Sequence, residues 1–199
     1  YEEDGNTTFF AVVDKDRNVV ACTTSILSSW GSGLIVGDTG IFLNNRMRYF
    51  WLDPEHPNAL EPGKRTFQTI TPSIALKDDK PFMAFGTPGA DIQEQTKLQI
   101  FFNVIHFGMN PQAAVEAPRF RTFNFPGASI PHTAHPGLIR MEGRIGEGVA
   151  KELEAMGYEV GLYAQWQYMG CAGMIMVDPE TDGIIVGADP RREGYAIGW

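Results

Sequence analysis

This chain predicts an α+β domain with largely antiparallel sheets. Three segments carry the pattern of β-hairpins, a few segments carry helical spacing, and the two kinds interleave along the chain. The 199 residues, 43% hydrophobic and 20% charged, are enough for one domain with a substantial core. No internal repeat, low-complexity stretch or domain linker interrupts them.

The first hairpin is FFAVVDKDRNVVACTTSI, with strands over 9–13 and 19–24 around the polar turn 14–18. Both runs are apolar on both faces, which predicts central strands buried between layers. In WGSGLIVGDTGIFLNNRM the glycines make a loop, with a short strand over 41–43. Residues 51–66 hold three prolines and little apolar content, the composition of a long surface loop. PSIALKDDKPFMAFGTPG is the second hairpin, with strands over 73–77 and 81–85 and a turn at Asp78 and Asp79. A helix starts near Asp91: Leu98, Phe101, Phe102 and Ile105 recur at helical spacing, and Gly108 is its stop. Asn110 then caps a short helix with Pro111 in its first turn, ending before Pro118. Ile145, Val149, Leu153 and Met156 share one face of a helix over 144–156, closed by Gly157. GMIMVDPETDGIIVGADPRREG is the third hairpin.

Net charge is −8, which disfavours a nucleic-acid partner because phosphates would be repelled. Cys22 and Cys171 make no disulfide or metal framework, and two thiols on apolar strands are expected. No apolar run reaches the roughly 20 residues that span a bilayer, so no membrane partner is expected. The chain does not begin with Met, so its lack of a signal peptide says nothing of the compartment; cytoplasmic, periplasmic and secreted locations all stay open. His132 and His135 are three residues apart without a helix or convergent carboxylates, and no metal site is expected from them. His56 and His106 are isolated.

Two stretches suggest chemistry. GTPGAD, residues 86–91, lacks the Gly-Lys-Ser/Thr ending of a phosphate loop. Its small residues let the backbone N–H groups of Gly89 and Ala90 approach a developing oxyanion. Thr7 and Thr8 stand at the mouth of the first strand. A threonine hydroxyl is a weak nucleophile until a base sits beside it, and the α-amino group of the same residue, with a pKa near ~8, can be that base. Cleavage between Asn6 and Thr7 would free it. No cofactor is needed.

The segments GNTTFFAVVDKDRNVVA, GSGLIVGDTGIFLNNRM, PGKRTFQTITPSIALKDDKPFMAFGTPG, AAVEAPRF and GADPRREG, taken in order, resemble the small subunit of the γ-glutamyltranspeptidase family of N-terminal-nucleophile hydrolases. The resemblance runs from about Asn6 to the C-terminus. It implies a four-layer αββα sandwich completed by a large subunit from the same precursor, with an assembly of two such pairs left open. It implies self-cleavage at Asn6-Thr7, with residues 1–6 a residual precursor segment and 7–199 the catalytic small subunit. Thr7 becomes the nucleophile of an acyl-enzyme mechanism on a small-molecule amide, Ser25 its supporting hydroxyl in place of the more usual threonine, and Gly89 and Ala90 the oxyanion pair. The substrate-binding positions fall on Leu27, Arg46, Tyr49, Gln68 and Thr69. Three of them depart from the family: asparagine becomes Leu27, Gln/Glu becomes Arg46, and the aspartate that receives the substrate α-ammonium becomes Tyr49. Arginine and a phenol do not suit an ammonium; an arginine suits a carboxylate. The resemblance therefore implies an amide hydrolase or acyltransferase with an altered acyl pocket, of the cephalosporin-acylase or oxamate-amidase kind. The alternatives are a true γ-glutamyltransferase/glutathione hydrolase, and an unprocessed, non-catalytic scaffold, which the residues before Thr7 keep open.

Overall fold

A computed structural model describes residues 5–198; of the proposed precursor segment, residues 1–4 lie outside it. The first hairpin is longer than its apolar runs. Strand β1 (Gly5–Val13) pairs antiparallel with β2 (Val19–Ser28), and this two-stranded sheet makes no ladder with another described strand. The second and third hairpins join into one four-stranded sheet, built from β3 (Ser73–Lys77), β4 (Lys80–Gly86), β8 (Gly173–Val177) and β9 (Ile184–Ala188) in the order β3-β4-β8-β9. Asp78 and Asp79 take left-handed conformations (φ 51° and 60°), the geometry of a tight two-residue hairpin turn.

One face of the four-stranded sheet is covered by α1 (Gln93–Ile105) and α2 (Pro111–Glu116). Met83, Phe85 and Met174 meet Ile100, Val104, Ala114 and Val115 there, and this is the main core. The β1–β2 hairpin lies on the opposite face. A Cβ on Gly86 would stand 2.4 Å from the Phe9 ring, and one on Gly173 3.1 Å from it. Glycine at both places lets the ring lie flat on the backbone of β4 and β8. The layers run helix, sheet, sheet.

The expectation that β1 and β2 are buried on both faces is corrected. Phe10, Val12 and Val20 are each about half exposed, because no layer among the described residues covers the outer face of the hairpin. The strand expected over 41–43 reduces to one bridge, Ile35 to Phe42. Gly33, Gly37 and Gly40 around it have positive φ, which breaks regular pairing.

The apolar stripe assigned to α1 holds only at Phe101, which packs on the core and stacks on Phe85. Leu98, Phe102 and Ile105 are largely exposed, while Gln93, Thr96, Ile100 and Val104 point inward. Apolar residues occupy two faces of this helix, so spacing alone cannot choose between them. Hydrogen bonding decides: buried Thr96 donates to the Met169 carbonyl at 2.8 Å. Gly108 closes the helix as expected, with φ 66° and a bond to the Val104 carbonyl. Asn110 caps α2 by accepting the Ala113 N–H at 2.8 Å.

A third sheet went unforeseen. Strand β5 (Phe120–Thr122) is antiparallel to β6 (Leu138–Glu142), which runs parallel to β7 (Glu159–Tyr163). Helix α3 (Glu147–Ala155) is the crossover, and it begins after a 3-10 turn instead of at residue 144. It buries Ala150 and leaves Val149 and Met156 outside. Gln95 and Gln99, four apart on α1, each donate to and accept from the backbone of β5, at Thr122 and Phe120 respectively. The helix thus borders β5 as a neighbouring strand would.

Candidate active site

Thr7 lies on the inner face of β1, two residues from Phe9. Its register partner is Ser25, and a bulge falls between Asn6 and Thr7 because Asn6 pairs with Leu27 and Ile26 is skipped. Such a bulge re-aims side chains at a sheet edge. The Thr7 hydroxyl donates to Ser25 Oγ at 2.9 Å, and the same oxygen accepts the Leu27 N–H at 3.0 Å. Ser25 therefore holds the Thr7 oxygen in place while being held itself.

The second part comes from the turn after β4. Gly89 has φ 132° and Ala90 φ 47°. Glycine is required at the first; at the second, alanine sits in the left-handed region at a cost of about 1 kcal/mol. Behind the turn, Thr87 is 1% exposed; its hydroxyl donates to the Pro88 carbonyl at 2.7 Å and accepts the Cys171 N–H at 2.8 Å. A Cβ on Gly170 would stand 2.5 Å from that hydroxyl. The turn is buttressed from behind, and Phe9, two residues from Thr7, packs on Gly86, three residues before Gly89.

The third part is a 3-10 turn, Arg46–Tyr49. Asn45 ties it to the end of β2, accepting the Ser28 N–H at 3.2 Å and donating to Ser28 Oγ at 2.8 Å. Arg46 and Tyr49 are buried, and Arg46 Nη1 donates to Tyr49 Oη at 3.2 Å. Tyr49 Oη lies 2.9 Å from Thr69 Oγ1. Burial pushes the Tyr49 hydroxyl above its ordinary pKa. Gln68 stays out of this chain of bonds, its Oε1 buried without a partner among the described residues. The structure thus brings Thr7, Ser25 and Leu27 together, and separately Arg46, Tyr49 and Thr69, with Asn45 linking the groups.

These elements, in this order, match the family model for gamma-glutamyltranspeptidase over residues 1–199. The chain belongs to the gamma-glutamyltranspeptidase family. The glutathione hydrolase-like YwrD proenzyme of Bacillus subtilis is 38% identical over 97% of this chain and 36% of its own length. The oxamate amidohydrolase proenzyme of Klebsiella pneumoniae is 35% identical over 98% of this chain and 36% of its own. Among solved structures, the cephalosporin acylase of Bacillus halodurans superposes with a TM-score of 0.84 at 34% identity, covering 96% of this chain and 34% of that one. The fold is that of the α+β N-terminal-nucleophile hydrolases. The chain spans about a third of the length of the relatives it matches.

In this member of the gamma-glutamyltranspeptidase family, sequence reasoning passed over a strap that joins the turn at Gly89 to the turn at Arg46. Asp91, directly after Ala90, accepts the Ala128 N–H with both carboxylate oxygens, at 3.1 and 3.2 Å. Burial raises its pKa. Ile130 donates its N–H to the Arg48 carbonyl at 2.9 Å. His132 is in contact with the Gly127 and Phe50 carbonyls through its two ring nitrogens, and its ring stacks on Trp51 at 4.3 Å, with His56 on the other side of Trp51 at 4.0 Å. Asp91 could have been suspected as the one acid adjoining the Gly89–Ala90 pair; of the partners of His132, Phe50 and Trp51 lie about 80 residues away and leave no local signal. Cys22 and Cys171 are free and half-buried, Cys22 on β2 and Cys171 just before β8.

Proposed function

We propose that this chain is the nucleophile-bearing part of a self-processing threonine amide hydrolase or acyltransferase with an altered acyl pocket. The observation that carries the reading is the Thr7–Ser25 hydroxyl pair, 2.9 Å apart at a bulge directly after Asn6. In the precursor the Thr7 oxygen attacks the Asn6 carbonyl and displaces the Thr7 nitrogen, giving an ester. Water hydrolyses that ester and leaves Thr7 with a free amine. In the mature protein this amine takes the hydroxyl proton as the oxygen attacks a substrate amide, then hands it to the departing amine. The N–H groups of Gly89 and Ala90 receive the oxyanion. Water then releases an acid, or a second amine receives the acyl group.

A large subunit cut from the same precursor is part of this reading. The relatives are named as proenzymes and are about three times as long as this chain. The uncovered faces of the hairpin and of α1 supply apolar surface for it. Intact-mass measurement on the full precursor tests the reading: incubation should yield two polypeptides, the smaller beginning at Thr7. A precursor that acylates while uncut overturns it. Ser25→Ala is expected to lower kcat/KM about tenfold, the worth of one hydrogen bond to the nucleophile, with Ser25→Thr close to wild type.

On the acyl side, Leu27, Arg46 and Tyr49 offer hydrocarbon, cation and phenol where a γ-glutamyl α-ammonium needs an anion. Burying an unmatched charge costs several kcal/mol. A γ-glutamyl anilide should therefore be turned over at least about a hundredfold less efficiently than the best acyl amide in a panel. Efficient γ-glutamyl turnover would favour a second reading, a true glutathione hydrolase, which the name of the Bacillus subtilis relative supports.

A further inference from the structure

The N–H groups of Gly89 and Ala90 can meet an oxyanion only while their turn keeps its shape. Ala90 holds a left-handed conformation, φ 47°, which an alanine disfavours. Something must offset that cost. Thr87 and Gly170 fix the chain before the pair. After it, Ile92 buries its side chain and donates its N–H to the Gly89 carbonyl at 3.0 Å, and α1 begins at Gln93. Asp91 lies between, inside the 3-10 turn Ala90–Ile92.

The Asp91 side chain holds the turn from outside. Both its oxygens accept the N–H of Ala128. That donor is itself fixed. Ala128 is buried, and the loop around it closes on itself: Gly127 donates its N–H to the Thr133 carbonyl at 3.0 Å, and His132 its N–H to the Ser129 carbonyl at 2.8 Å. A side chain bound to a fixed donor restrains its own backbone, and with it the residue before. On charge alone, an acid beside the oxyanion donors would oppose the reaction, because like charges repel. Arg121 and His132 offset part of that charge, and burial raises the Asp91 pKa. What the side chain contributes is therefore an acceptor in a fixed place rather than a charge.

We propose that Asp91 is a positioning residue: through its bond to Ala128 it holds Ala90 in the left-handed conformation that aims the oxyanion donors. This rests on the reading of Thr7 as the nucleophile and of Gly89 and Ala90 as the oxyanion pair, and adds to it a residue that touches neither substrate nor nucleophile.

The test uses the processed two-subunit protein and the 4-nitroanilide of whichever acid in the panel is turned over best. Asp91→Ala should lower kcat about fivefold to thirtyfold, the factor set by the left-handed penalty that the bond no longer offsets. KM should stay within about twofold, because the oxyanion forms in the transition state and not in the bound substrate. Asp91→Asn keeps an acceptor oxygen without the charge and should stay within about twofold of wild type. Glycine takes a positive φ without penalty, so in an Ala90→Gly background the loss from Asp91→Ala should shrink to about twofold or less. A general loss of stability would not be relieved at that one position. Should Asp91→Ala fail to fold or to mature, Asp91→Glu, whose longer side chain displaces the acceptor, takes its place: kcat should fall and Ala90→Gly should restore it. A wild-type kcat in the variant, a loss mainly in KM, an Asp91→Asn enzyme as slow as Asp91→Ala, or a loss that Ala90→Gly leaves unmoved would each overturn the proposal. If Thr7 is needed for turnover and Asp91 is not, the positioning alone has failed. If Thr7→Ala hydrolyses the anilide as wild type does, the nucleophile reading has failed with it.

Discussion

Thr7→Ala is expected to leave the precursor as one uncut polypeptide and to remove acyl transfer altogether, a loss of at least about 10⁴-fold in kcat. The size follows from the double duty of one side chain. In the proposed mechanism its oxygen opens the Asn6-Thr7 bond and later carries the acyl group, so deleting it would remove both the amine that serves as base and the atom that attacks. Thr7→Ser should cleave and react, more slowly, because the hydroxyl survives while the methyl group that limits its rotation is lost. Thr8→Ala is the control. Thr8 faces outward on β1, and its loss should leave cleavage intact. Gel analysis and intact mass on the three precursors, with single-turnover kinetics on the processed proteins, read the outcome; cleavage of the Thr7→Ala precursor at the same bond would sink the mechanism.

Asp189→Ala should be the most damaging change for stability, costing the assembled protein about 3–5 kcal/mol. That is a large share of the margin of an ordinary domain. Asp189 is 1% exposed, and its two oxygens meet Arg119 Nη1 at 2.7 Å, Arg191 Nη1 at 2.9 Å and the Ala172 N–H at 2.9 Å. Arg191 continues to Glu142 at 2.6 Å, and Glu142 to Arg144. The same arginines donate to the carbonyls of Val115 and Ala117 at the end of α2. One buried network therefore clamps α2, β6, β8 and β9. Removing Asp189 leaves the buried Arg119 guanidinium without a carboxylate and leaves Arg191 with Glu142 alone. Lys15→Ala, which breaks an exposed pair with Asp16, should leave the thermal unfolding midpoint unchanged, whereas Asp189→Ala should lower it by several degrees or abolish soluble expression. A midpoint within one degree of wild type for Asp189→Ala would refute the role assigned to this network.

Hairpins were legible in the sequence because their signal is local: alternating β-rich runs around polar turns, as at Asp78-Asp79. The short helix after Asn110 was legible for the same reason, since cap and proline sit side by side. What escaped depends on distant partners. The sheet of β5, β6 and β7 is held to α1 by two glutamines whose role cannot be seen until β5 lies beside them. The inward face of α1 is chosen by Thr96 and a carbonyl 73 residues away. The candidate site divides along the same line. Thr7, Ser25, Gly89 and Ala90 could be named from ordered blocks resembling a family, but the relay from Arg46 through Tyr49 to Thr69 needed coordinates. GADPRREG carried the resemblance without revealing that its Asp189 and Arg191 serve a buried clamp.

The turn from Arg46 to Tyr49 belongs to neither the two-stranded nor the four-stranded sheet. It is tied to the end of β2 by Asn45, to the 127–132 strap through the Arg48 carbonyl, and to Thr69 through Tyr49; none of these bonds involves the charged clamp around Asp189. On the reading proposed above, exchanges within those four positions would change which acyl group is accepted while the Thr7–Ser25 pair and the central framework keep their geometry. Selectivity would then be a replaceable fitting, open to evolutionary drift or to laboratory redesign at little risk to the proposed machinery it serves.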